Sequence, residues 1–337
     1  MLNKFVFRPL PIRRFCHKVS LNVEHLTNRS ILKLCGVEVL NFLQGLVTND
    51  IFLLRDRQKS LYTFLLNNKG RILYDALIYK VSNSEILLEC DSLVKDDIVR
   101  HIRQYCIRKK IEIIPLDTGV WVAFNHNNED DFSNSNSAFR SSCESLFSVI
   151  PEHESERVEN NLNFYRDPRL IELGFRIMSP ASGDVGKFLI DRDVNVSSAK
   201  KYNTHRYKLG VAEGVEELPV GSCIPHETNG DYLNGISFNK GCYLGQELTA
   251  RVQYTGVVRK RLMPIILSSV PDSGVEKDTP VTSNGKNIGK INVLCEKYGL
   301  ALMRVVETLE NPTDLRVSEI PARSYKPYWW NSSKQEN

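Results

Sequence analysis

Asn239-Lys240-Gly241-Cys242-Tyr243-Leu244-Gly245-Gln246-Glu247-Leu248-Thr249-Ala250-Arg251 sets a cysteine between a glycine and a tyrosine, with a lysine two residues before it. A glutamine, a glutamate and an arginine follow close behind. Gly241 and Gly245 bracket Cys242 and Tyr243, which predicts a backbone held where a Cβ would be awkward. Gln246 and Glu247 open a polar run suited to a helix start or a pocket wall. Nearby cations favour a thiolate, so Lys240 and Arg251 are candidates to ease deprotonation of Cys242 or to shield a bound charge. Thiolates attack electrophiles and ligate soft metals, so these residues leave a nucleophile and an iron–sulfur ligand both open. A packed, inert cysteine is the plain alternative.

Outward from this stretch, the 337-residue chain is long enough for two or three domains. Its 42% hydrophobic and 25% charged content is that of an ordinary soluble protein. The net charge of +4 is modest, owes part of its size to the N-terminus, and does not argue for nucleic acid. Uninterrupted apolar runs fall short of the ~20 residues that span a bilayer. The eight cysteines are scattered, with no C-x-x-C pair and no His/Cys cluster at zinc spacing, and point to a reducing compartment. Residues 1–19 carry Lys4, Arg8, Arg13, Arg14 and Lys18 among Phe5, Val6, Phe7, Leu10, Ile12 and Phe15, with no acid. That mixture reads as a mitochondrial presequence.

Local patterning then divides the chain. Ser30–Cys35 reads as a strand, and apolar residues at 39, 40, 43, 46 and 47 keep helical spacing. Ser60–Leu66 and Arg71–Lys80 read as a hairpin around Asn67-Asn68-Lys69-Gly70. Glu85–Cys90, Ile111–Ile114, residues 119–124 and Leu146–Ile150 read as further strands, and Val94–Arg108, Lys187–Asp191 and Ser197–Leu209 as helices. The Asn/Ser-rich segment 125–142 reads as a loop. From residue 258 onward, Arg261–Leu267, Pro280–Thr282, Ile288–Leu294 and Gly299–Val305 alternate with Asp272-Ser273-Gly274 and Ser283-Asn284-Gly285, the signature of a small β domain. Asp75 lies in the apolar run Ile72–Ile78, where an unpaired acid is costly, so it is expected to face a cavity or a cation. Arg259-Lys260-Arg261 is either a site for a polyglutamate tail or a partner's acids, or a solvated linker.

Four stretches, Phe42–Asp50, Lys69–Asp75, Lys240–Arg251 and Gly256–Arg261, together resemble the YgfZ/aminomethyltransferase-like family. The Lys-Gly-Cys-Tyr-x-Gly-Gln-Glu pattern resembles its iron–sulfur assembly branch. Arg206–Val215 and Asp167-Pro168-Arg169 are similar to the mitochondrial member. The resemblance implies an α+β, three-lobed fold around a central cavity, related to the folate-dependent T-protein of glycine cleavage, with a C-terminal β-barrel. Its implied layout is a presequence at 1–19, a folate-binding-like region of two interleaved lobes at 20–257, a barrel at 258–328 and a disordered tail at 329–337. The implied work is late maturation of [4Fe-4S] proteins such as aconitase and lipoyl synthase in the mitochondrial matrix, by a maturation factor rather than an enzyme. Cys242 would be the metal ligand, helping to hold a [2Fe-2S] cluster shared with an A-type scaffold partner, and no residue takes a catalytic role. Asp75, Arg176, Lys240, Gln246, Glu247 and Arg251 are the implied cofactor-binding candidates. Asp75 matches the T-protein aspartate near the reactive nitrogen of tetrahydrofolate, but Arg176 stands where that protein has a pterin-binding glutamate. An arginine only donates hydrogen bonds, so this departure weighs against the alternative of a tetrahydrofolate-dependent aminomethyl transferase.

Overall fold

The chain was analysed as a computed structural model that describes residues 20–56, 58–125, 143, 162–180, 183, 185–190 and 195–330. Apolar, β-branched runs build two five-stranded sheets. The first holds β3 (Ser60–Leu66), β4 (Ile72–Lys80), β5 (Glu85–Asp91), β2 (Arg29–Cys35) and β6 (Glu112–Leu116) in that spatial order, each antiparallel to its neighbour. The second holds β10 (Asn195–Ser197), β1 (Ser20–His25), β7 (Thr118–Phe124), β9 (Phe175–Pro180) and β8 (Asn163–Arg166). β1 therefore leaves its sequence neighbours and pairs with β7, and in parallel with β10.

β3 is buried along its whole length, so the first sheet is covered on both faces. On one face Leu32, Leu34, Ile78 and Leu88 pack against α1 (Val39–Gln44) and α3 (Lys95–Tyr105), whose Ile98 and Ile102 recur at one-turn spacing. On the other, Ile31, Tyr62, Phe64 and Tyr79 join Val120 and Val122 of the second sheet. The remaining helices of this region are α2 (Leu53–Asp56), α4 (Val185–Ile190), α5 (Tyr202–Leu209) and α6 (Gln246–Thr255). Among the described residues, no helix is long and apolar enough to cross a membrane.

Beyond α6 the chain closes a six-stranded barrel: β11 (Lys260–Leu267), β14 (Tyr298–Arg304), β13 (Lys286–Cys295), β12 (Pro280–Ser283), β15 (Leu315–Val317) and β16 (Ile320–Ser324), with α7 (Val305–Glu310) crossing between β14 and β15. Closure of β16 onto β11 removes both sheet edges. The barrel is stitched to the body where the Trp329 indole N–H donates to the Leu209 carbonyl at 2.9 Å and the Tyr325 hydroxyl to that of Lys208 at 2.5 Å.

Some expectations need correcting. Trp329 and Trp330 are buried rather than part of a disordered tail, because both rings pack with Tyr232. The helix expected over Val94–Arg108 ends at Tyr105, and the one expected over Ser197–Leu209 starts at Tyr202, because Asn195–Ser197 is taken by pairing with β1. No strand is expected from the sequence at β1, β8, β9, β10, β15 or β16, yet all six form. The expected presequence, the strand at 146–150 and all but the first residue of the 125–142 loop lie outside the described residues.

Candidate functional site

Three of the stretches quoted above meet in space. Lys240 points its ammonium at the segment that follows α1, donating to the carbonyls of Gln44, Val47 and Asn49 at 2.7, 2.7 and 2.8 Å. The loop is fastened on either side of that lysine. Leu244 N–H donates to the Gly45 carbonyl at 3.0 Å and Ser237 N–H to that of Thr48 at 3.0 Å. The Thr48 hydroxyl and the Asn49 amide donate in turn to the carbonyls of Gly235 and Asn234, both at 2.6 Å. Thr48-Asn49 thus tethers this loop, a role with no local signature.

The hairpin turn of β3 and β4 supplies the third side. Gly245 has φ +78°, and a Cβ there would lie 2.3 Å from the Asn67 carbonyl oxygen and 2.9 Å from Leu66 Cβ. Gly70, at φ +76°, faces it: a Cβ there would meet Leu248 Cβ at 2.7 Å and the Gly245 oxygen at 2.9 Å. The two glycines let the backbones of hairpin and loop touch. Gly241 differs, since a Cβ there would meet nothing within 4 Å. The expectation of a constrained backbone holds for one glycine of the pair and fails for the other.

Gln246 fixes the turn into α6. Its side-chain oxygen accepts from Tyr243 N–H at 3.2 Å while its own N–H donates to the Tyr243 carbonyl at 3.3 Å. Glu247, in the first helical turn, and Arg251, one turn on, are both exposed. Cys242 projects from this anchored frame as the one exposed cysteine among the described residues. Cys90 and Cys143 are buried, Cys35, Cys106, Cys223 and Cys295 are half-buried, and burial pushes the Cys90 thiol up to about 12.

Lys240 is not a free cation beside the thiol. Its three donors are committed to backbone carbonyls, and its ammonium lies 5.0 Å from the Tyr243 ring centroid. Burial pushes it down to about 8, against the pull of Asp50. Among the described residues, no group of three or more His, Cys, Asp and Glu is arranged to hold a metal ion. Among the described residues, this chain alone offers a cluster one exposed thiol.

Asp75 and Arg176 belong to a second constellation, between the two sheets. Arg176 is fully buried, and all three of its nitrogens have protein partners: Asp167 at 3.4 Å, Glu89 at 3.1 Å, the Tyr202 hydroxyl at 2.8 Å, and Glu213. Arg169 donates to both oxygens of Asp167 and to Glu213, and Arg29 to Glu89 at 2.8 Å. Asp75 accepts from Gly214 N–H at 3.1 Å and faces Arg29 at 3.8 Å, the cation that its apolar setting required. Burial raises the Asp75 carboxyl, only partly offset by Arg29. Burial also works against Glu213, yet Arg176, Arg169 and Arg29 hold it well below the usual carboxylate range. The sequence singled out Asp75 and Arg176 here, but not Arg29, Glu89 and Glu213.

Residues 259–332 match the family model described as the CAF17 C-terminal beta-barrel domain. The fold resembles the glycine cleavage system aminomethyltransferase T from Bartonella henselae, with a TM-score of 0.67 over 93% of this chain and 87% of that one, at 12% identity. Those values establish the three-lobed α+β architecture. The chain is also 34% identical to the mitochondrial iron–sulfur cluster assembly factor IBA57 of Mus musculus over 90% of this chain and 84% of that protein. The Homo sapiens protein of the same name gives 34% identity over the same shares, and the Dictyostelium discoideum homolog 31% over 74% of this chain and 64% of its own length. At that level of identity, sustained over both lobes and the barrel, the chain belongs to the family of the mitochondrial iron–sulfur cluster assembly factor IBA57.

Proposed function

We propose that this chain works in the mitochondrial matrix as an iron–sulfur cluster assembly factor. In this reading the Cys242 thiolate is one ligand of a [2Fe-2S] cluster, and an A-type scaffold protein supplies the others. The shared cluster then serves maturation of [4Fe-4S] proteins of the aconitase and lipoyl synthase class. The observation that carries the reading is the contrast between Cys242 and its surroundings: one exposed thiol on a loop fastened at Lys240, Leu244 and Gly245. An inert cysteine packs inside, as Cys90 does. A thiol that ligates iron on behalf of two proteins must reach solvent while its backbone stays fixed. The roles of the neighbours follow. Lys240 and Gln246 hold the loop, while Glu247 and Arg251 stand at its rim.

Tetrahydrofolate transfer is the alternative, and the residues present do not fit it. A pterin edge at Arg176 would have to displace Glu89, Asp167 and Glu213 from a buried guanidinium that has no free donor nitrogen.

The test is anaerobic reconstitution of the mature chain and an A-type scaffold with iron and sulfide, followed by visible circular dichroism. A cluster spectrum from the wild-type mixture that is missing with Cys242→Ser is expected. Identical spectra would make Cys242 a structural residue and sink the proposal. Calorimetric titration with tetrahydrofolate, expected to give no heat of binding, checks the alternative.

A further inference from the structure

The helix Gln246–Thr255 follows the Cys242 loop and buries one of its ten residues, Thr249. A surface helix ordinarily covers three to four apolar positions in every two turns. Here Arg251, Gln253 and Tyr254 are exposed, Tyr254 to 90%. Val257, just past the helix, is 63% exposed, and Phe238, four residues before Cys242, is 41% exposed. The buried His226 joins these segments: its ring lies 5.9 Å from that of Phe238, and Gln253 lies near enough to bear on the charge of the same imidazole. Phe238 and the C-terminal half of the helix therefore border one area. A ten-residue helix is about 15 Å long, so Cys242 and Tyr254 fit within the ~800 Å² that one partner contributes to a standard interface.

The charge of this face is predominantly positive. Between residues 238 and 260 the exposed cations are Arg251, Arg259 and Lys260, and the one exposed acid is Glu247. Arg251 and Arg259 enter no ion pair among the described residues. Tyrosine and arginine are the residue types that most often dominate binding energy when covered. A thiolate-ligated [2Fe-2S] cluster is anionic, and uncompensated guanidinium groups on and just past the helix that follows Cys242 suit an anionic partner.

The geometry points to Phe238, Tyr254 and Val257, with Arg251 and Arg259 at their side, as the docking surface for the protein that completes the cluster. That partner carries an apolar patch beside its own cysteines and carboxylates around it. The inference rests on the shared-cluster reading of Cys242 and gives its partner a chemistry.

The probe is an A-type scaffold loaded with its [2Fe-2S] cluster, titrated anaerobically with the full chain. Tyr254→Ala and the double variant Arg251→Glu/Arg259→Glu are each expected to weaken the complex about tenfold or more. Added salt weakens the wild-type complex, and the double variant loses that dependence. All three residues are exposed, so thermal melting of these variants matches wild type. Affinities within twofold of wild type for both variants overturn the surface, whatever Cys242→Ser does. A Cys242→Ser complex that keeps its cluster sinks the shared-cluster reading, while weak binding by Tyr254→Ala in the same assay still upholds the surface. Self-association of the wild-type chain that Tyr254→Ala abolishes, with scaffold binding unchanged, assigns the face to a second copy and overturns the inference.

Discussion

Replacing Gly245 with alanine tests whether the Cys242 loop is clamped by the hairpin turn. The left-handed backbone, at φ +78°, is the first obstacle, and costs an L-residue about 1–2 kcal/mol. The added methyl is the second. It would stand 2.3 Å from the Asn67 carbonyl oxygen, 2.9 Å from Leu66 Cβ and 3.3 Å from Gly70 Cα. These are backbone or near-backbone atoms of a buried strand and its turn, so they cannot swing aside, and such overpacking adds about 1–3 kcal/mol. The sum is a loss of about 2–5 kcal/mol. Gly241→Ala is the internal control: its methyl meets nothing within 4 Å and its φ is not positive, so it stays within about 0.5 kcal/mol of wild type. Urea unfolding of the three proteins, analysed with one shared m-value, reads both numbers. Alkylation of Cys242 by a thiol reagent, followed in parallel, reports whether the loop has shifted. Equal stabilities for the two alanine variants would refute the clamp.

Three further outcomes follow from the same geometry. Lys240→Met strips a charged donor from the carbonyls of Gln44, Val47 and Asn49, and is expected to cost about 2–3 kcal/mol in thermal or urea unfolding after the desolvation of the ammonium is relieved; an unchanged midpoint would mean those bonds contribute nothing. Arg176→Met leaves Glu89, Asp167 and Glu213 short of a buried cation and is expected to cost about 3–5 kcal/mol, a loss that a midpoint near wild type would contradict. Glu213 titrates well below its ordinary 4.5 in the folded chain. Its contribution is therefore complete above pH 4.5 and fades as the pH falls through the depressed folded value. Glu213→Gln should accordingly be less stable than wild type at pH 7, with the gap closing below pH 4.5; stability curves that stay parallel through that range would show that Glu213 is not linked to protonation.

Much of the architecture was legible because its signals are local. Asn67-Asn68-Lys69-Gly70 between two apolar runs marks the hairpin, and the Gly/Asn/Ser turns after residue 270 mark the barrel strands up to β14. Leu315–Val317 and Ile320–Ser324 were not legible, since three and five residues carry too little alternation to stand out. Gln246 was readable as a helix start, and its bond to Tyr243 is the kind of contact that such a position makes. Lys240 was conspicuous for its closeness to Cys242 in sequence, yet its partners are backbone carbonyls about 190 residues away, which leave no trace in residue identity. The buried ion cluster fails for a related reason. Arg29 and Glu89 lie 60 residues apart and Glu89 and Arg176 lie 87 apart, each in a strand whose other residues read as ordinary core. Arg176 was visible as a departure from the T-protein pattern, but not that three carboxylates surround it. Gly241 and Gly245 are the plainest case: one residue type, two positions apart by a turn, separated in function by whether Asn67 happens to stand behind the backbone.

The pairing of β1 with β7 and β10 bears on how the polypeptide reaches this state during synthesis. Ser20–Asn22 emerge early, yet their parallel partners are Asn195–Ser197. The Phe42–Asp50 segment waits for Asn234–Leu244, and the end of α5 for Tyr325 and Trp329. The first sheet pairs wholly within residues 29–116, whereas the second stays open along one edge of β1 until residues 195–197 have been made. The non-local pairings are therefore those of β1 and of the Cys242 loop, and long-range contacts of that kind form late. The interleaving that fastens the Cys242 loop from several directions therefore delays completion of that site until the chain has been made past residue 244.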